Sequence, residues 1–212
     1  MRQPPPDDEP ALDEGSGPTP PEAVLELCAA CVRFVTTAVG VPPDFEPETL
    51  PLVDHYLREA RIAVRQRPET LSLVANSTGV YLGEVVRRCH PSWWRLEGDD
   101  PLAWRLEFRD VYLSFAPVQV VMAALVRPGS PPAQRASDDV IDDAPEPGME
   151  LAPEDREAVF QRLEDLPPVS EEDYYALSTR VEVIDIAVAA IQSNLLQQPE
   201  RRRAYRPTDY DS

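Results

Sequence analysis

The sequence predicts an α+β fold, mostly helical, in which a helical layer packs on a small three-stranded antiparallel meander. Three observations carry the prediction. Leu71, Val74, Ala75, Thr78, Leu82, Val85, Val86 and Cys89 recur at helical spacing. The tetrapeptide Trp94-Arg95-Leu96-Glu97 recurs ten residues later as Trp104-Arg105-Leu106-Glu107, alternating apolar and charged as a half-buried strand does. Between the copies stands Gly98-Asp99-Asp100-Pro101, a hairpin-turn composition.

The chain opens with residues 1–18, built from Pro, Asp, Glu and Gly. With so little apolar surface to bury, they are expected to be a disordered acidic tail. The core is expected over residues 19–127. Its first helix should run from about Pro21 to Val39, entered through a Thr19–Glu22 capping box and stopped at Gly40. Val24, Leu27, Cys28, Cys31, Val35 and Ala38 form its apolar stripe. After the extended Pro42–Pro47 connection, a second helix spans roughly Leu52 to Gln66. Val53, Tyr56, Leu57, Ala60 and Ala63 face inward, and Arg58, Arg61 and Arg65 form a basic stripe that reads as a solvated face.

The third helix begins near Glu69 and is central. Gly79 and Gly83 lie within it, and two interior glycines cost ~2 kcal/mol against alanine, so close approach of another backbone is expected there. Arg87 and Arg88 suit its C-terminal dipole, and Pro91 stops it. The meander follows, with Arg109-Asp110 turning into Val111–Phe115. Trp94 and Leu96 fall on one face and Arg95 and Glu97 on the other. Trp93 and Trp94 are neighbours and cannot both point inward, so one is expected outside or under a covering segment. Pro117 then opens an apolar helix, Val118 to Arg127, expected to pack on the sheet.

Residues 128–152 have the composition of an acidic, Pro-rich linker. Asp138, Asp139, Asp142 and Asp143 within it lack the spacing of an EF-hand loop. Two C-terminal helices are expected over 153–198, packing on the core, and 199–212 is expected to be an Arg-containing tail. In the last helix, started by Ser170-Glu171-Glu172-Asp173, a heptad seam runs Tyr174, Leu177, Val181, Ile184, Val188, Ile191, Leu195. Val183, Ile186, Ala187 and Ala190 broaden it, so it reads as a helix packed across the domain, over the first helix or the sheet; homodimerisation through 174–195 is the alternative.

Tyr81-Leu82-Gly83-Glu84-Val85-Val86-Arg87-Arg88, followed by tryptophan, a short meander and a Pro-started helix, resembles a pattern in bacterial proteins grouped as domains of unknown function. The resemblance covers about Leu50 to Arg127. Those proteins often carry Asp-Pro-Phe at the last strand-to-helix step, where this chain has Phe115-Ala116-Pro117. It implies a fold unit and no activity.

The formal net charge is -18, and all 20 basic residues are arginine. Residues 24–127 carry thirteen acids and eleven arginines, whereas 128–157 carry nine acids against Arg135 and Arg156. Such a field repels phosphate backbones and anionic membranes, so neither nucleic acid nor membrane is an expected partner; the acidity leaves open a basic protein partner or simple solubility. The opening residues hold no apolar run of a signal peptide, and three cysteines make no disulfide framework, so a cytoplasmic location is expected.

No catalytic pattern stands out, and no cofactor is expected. Cys28, Cys31, Cys89 and His90 could be drawn as a zinc site, but the first two lie on an apolar helical stripe and read as buried thiols. Glu84 and His90 are the candidate acid–base pair of the enzyme alternative, with Glu84 otherwise a partner for Arg87 and Arg88. The leading expectation is a non-enzymatic protein that acts by binding another protein, as an adaptor, regulator or immunity-like factor. Its expected surface is Trp93, Trp94, Arg95, Trp104 and Arg105, since Trp and Arg dominate binding hot spots.

Overall fold

The structure, a computed structural model, describes residues 19–126 and 148–211. Seven helices and a four-stranded antiparallel sheet make up these residues. The expected tail 1–18 and most of the expected linker lie outside them.

Helix α1 (Glu22–Val39) begins after Pro21, which itself occupies the N-cap, so the Thr19 capping box does not form. It ends at Gly40, whose φ of 84° is the left-handed conformation of a C-cap. Helix α2 (Leu50–Gln66) buries Val53, Leu57 and Ala60 as expected, together with Leu50 and Val64; Tyr56 is half-buried and Ala63 is exposed. A 3-10 turn at Pro68–Thr70 leads into helix α3 (Leu71–Cys89).

Helix α3 is the axis of the fold, packing against α1, α2, strand β2 and the next helix, α4 (Pro117–Val126). Every described side chain from Ser77 to Val86 is buried. The two glycines explain how α4 comes so close. A Cβ on Gly79 would lie 2.5 Å from the Val118 Cα, and one on Gly83 would enter the indole of Trp94 and meet Pro117 Cγ at 3.0 Å. The expected close approach of backbones is therefore present, and α4 lies along α3 rather than on the sheet.

Strands β1 (Ser92–Arg95), β2 (Arg105–Phe108) and β3 (Leu113–Phe115) form the meander, and β4 (Met149–Leu151) adds to β3, giving the order β1-β2-β3-β4. Residues 149–151 were expected within a linker; Gly148, at φ 76°, turns the chain so that its carbonyl accepts from Ala116 N at 2.6 Å and the new edge strand pairs. Strand β1 starts two residues earlier than the repeat suggests. Its partner register is Trp94↔Leu106 and Trp93↔Glu107. The connection is longer than a tight hairpin because Asp100 caps a 3-10 turn at Pro101–Ala103, and Trp104 Nε1 donates to Gly98 O at 3.1 Å.

Helix α5 (Pro153–Glu164) packs on helix α7 (Leu177–Gln197), and α7 also covers α2. The expected single last helix is divided. Ser170 caps the short helix α6 (Glu171–Tyr174), and Asp54 of α2 accepts from Leu177 N at 2.6 Å and from the Ser178 hydroxyl at 2.9 Å, capping a second start. Burial raises the Asp54 carboxyl above the ordinary carboxylate value, opposed by these hydrogen bonds. Leu177, Val181, Ile184, Val188, Ile191 and Leu195 are all buried in the chain's own core. From Leu177 on, the 174–195 seam is thus taken up internally, while Tyr174, its first member, lies on α6. No helix among the described residues is long and apolar enough to cross a membrane.

Candidate interaction surface on the outer face of the sheet

The adjacent tryptophans point to opposite faces of β1, and each finds a buried glutamate. On the inner face Trp94 Nε1 donates to Glu84 Oε1 at 2.6 Å. Glu84 also takes a two-pronged pair from Arg87, Nε to Oε1 at 2.8 Å and Nη2 to Oε2 at 3.1 Å. On the outer face Trp93 Nε1 donates to Glu107 Oε2 at 2.8 Å. Glu107 is 0 % exposed and also receives Arg105 Nε at 3.3 Å, with Arg95 Nε at 3.5 Å. A buried carboxylate demands such company, because an unpaired charge in this environment costs several kcal/mol.

Glu107 is buried on an outward-facing position because the C-terminal residues cover it. The expected tail is instead a strap. After α7 and a 3-10 turn at Pro199–Arg201, the chain crosses the sheet with Tyr205 and Tyr210 buried. Tyr205 N donates to Arg109 O at 2.7 Å. The Tyr210 hydroxyl accepts from Leu113 N at 3.1 Å and lies 2.8 Å from Phe108 O, to which it donates. Burial pushes this phenol above its ordinary pKa, which keeps it a donor. Tyr210 stacks on Tyr112 at 4.6 Å between centroids and meets Trp93 edge-on at 6.0 Å. Arg95 completes the clasp, bonding Asp211 and the Pro207 carbonyl. Elsewhere, Arg105, Ser114, Gln119 and Glu150 line a cleft of about 230 Å³.

Of the five residues expected to form a surface, Trp94 and Trp104 are core instead, 9 % and 4 % exposed. Trp94 is drawn in by Glu84, and Trp104 by the hairpin carbonyl. Trp93, Arg95 and Arg105 do share the outer face, the first two beneath or against the strap. Sequence reading missed Glu107, Tyr112, Tyr205 and Tyr210. The signal for the last two was present, since two tyrosines in fourteen residues do not suit a solvated tail.

The other candidates disperse. His90 Nε2 lies 2.7 Å from Asp185 Oδ1 on α7, while Glu84 is spent on Trp94 and Arg87, so the two form no acid–base pair. Arg58 of the basic stripe pairs with Glu172 at 3.4 Å. Asp155, 1 % exposed, holds Arg201 at 2.8 Å and Asn194 at 2.7 Å, tying α5 to the root of the strap.

Cys28 and Cys31 are buried on α1 and Cys89 is exposed. Among the described residues no three His, Cys, Asp or Glu side chains gather as metal ligands. Burial pushes the Cys31 thiol up to about 12 and Cys28 higher still, so neither is a thiolate near neutral pH. Iodoacetamide at neutral pH should therefore modify Cys89 alone, with Cys28 and Cys31 labelled only in denaturant. Equal labelling of all three, read by intact mass, would contradict this burial.

Comparison with family models, with curated proteins and with solved structures returns no match to this chain.

Proposed function

We propose that this is a cytoplasmic, non-enzymatic protein that works by binding a protein partner, as an adaptor, regulator or immunity-like factor. The observation that carries the reading is the engagement of the groups with chemical potential. Glu84, Glu107 and Asp155 each hold an arginine together with an indole or an amide, and Asp54 caps a helix. Cys28 and Cys31 are protonated in the core. The outer face of the sheet carries aromatic and arginine side chains, Trp93, Tyr112, Arg95 and Arg105, under or beside the C-terminal strap, and such side chains dominate protein interfaces. The net charge of -18 favours a partner that is basic overall and disfavours nucleic acid. The resemblance around Tyr81–Arg88 implies a shared fold unit and no activity. Affinity purification of the tagged full chain from its native host should recover a stoichiometric protein; repeated recovery of the chain alone would overturn the reading.

A further inference from the structure

We infer that the outer face of the sheet is a groove for an extended segment of a protein partner, and that residues 202–211 fill it in cis until that segment displaces them. The segment carries two aromatic side chains five residues apart and a carboxylate directly after the second. The inference rests on the protein-binding reading above and names the chemistry of its ligand.

The strap shows what the groove accepts. Its anchors are the Tyr205 and Tyr210 rings against Tyr112 and Trp93, and the Asp211 carboxylate on Arg95. Among the described residues its main chain joins the sheet by the Tyr205 N to Arg109 O bond and by the Arg95 bond to Pro207 O. Recognition is therefore written in side chains, which a foreign segment can present equally well. Between the anchors, Arg206, Pro207 and Thr208 are exposed, so their identity is free to vary.

At the root of the strap Arg202, Arg203 and Ala204 are exposed outside any helix, a short joint about which it can swing. The occupant is also basic where the protein is acidic. Residues 201–212 hold four arginines against Asp209 and Asp211. A basic partner with a Tyr-x4-Tyr-Asp segment would meet the same field. Because the cis strap acts at an effective concentration on the order of mM, a trans segment gains access only as the strap is loosened or outcompeted.

The test uses a fluorescent synthetic peptide of residues 201–212 and fluorescence anisotropy on the full chain. Asp211→Arg sets like charge against Arg95 at a half-exposed position and should open the groove, so the variant binds the peptide at least tenfold more tightly than wild type. Adding Arg95→Ala should abolish that gain, since the peptide's own Asp211 then has no partner. Tyr205→Ala serves as a second opening variant, with circular dichroism confirming that each chain is folded. A folded opening variant that binds no better than wild type, or a gain that ignores Arg95, overturns the inference. Recovery of a host partner in that event would leave protein binding standing at another surface, so the two failures are separable.

Discussion

Glu84→Ala should lose ~3–5 kcal/mol of folding stability, the loss expected when one member of a buried, hydrogen-bonded ion pair is removed. The variant leaves the Trp94 indole N–H without its 2.6 Å acceptor and Arg87 without both oxygens that hold it, in a site only 3 % exposed at Glu84. Against a total stability of ~5–15 kcal/mol for a domain of ordinary size, that is a large fraction. Urea unfolding reads it as a lower midpoint with an unchanged slope. Glu84→Gln should rescue only part, because its amide keeps an acceptor for Trp94 but turns an N–H₂ toward Arg87. A Glu84→Ala chain as stable as wild type would mean that the carboxylate has no structural role and would reopen a catalytic one.

Gly79→Leu should cost about 3 kcal/mol or more, at or beyond the upper end of overpacking in a filled core. Gly79→Ala is the sharper case because its sign is opposite to the usual one. In a free helix interior the change would stabilise by ~1 kcal/mol through propensity alone. Here the new methyl would sit 2.5 Å from the Val118 Cα, a backbone atom that cannot rotate away. The net result expected is a loss of ~1–2 kcal/mol, with α3 and α4 forced apart. Gly83→Ala strikes the Trp94 indole, so its cost should be non-additive with that of Glu84→Ala, since both unseat the same ring.

Helices α1 and α2 were legible because each buries one stripe, and periodicity reports a stripe directly. The glycines of α3 were legible as a local cost that only a tertiary contact could repay, and the opposed directions of Trp93 and Trp94 followed from the period of a strand. What escaped reading depends on partners distant in sequence. Met149–Leu151 is too short to show a period, and its pairing with β3 makes it a strand. The break before Leu177 is imposed by Asp54, 123 residues earlier. Glu107 looked like an outward charge because its cover, the strap around Tyr210, comes about a hundred residues later. The expected surface contained two residues of the core, Trp94 and Trp104, whose indole N–H groups are satisfied inside by Glu84 and the Gly98 carbonyl.

If the strap is displaceable, the outer face opens without the core. The indole N–H of Trp93 and that of Trp94 are adjacent in sequence and equally bonded to glutamates, yet one lies under the strap and the other between the sheet and α3. Hydrogen exchange of the two indole protons, followed by NMR in the full chain, separates them. Trp93 should exchange through strap opening, ~100-fold or more faster than Trp94, which waits for unfolding of the core. Equal exchange, both at the rate of global unfolding, would show the strap to be an inseparable part of the core and would contradict the groove.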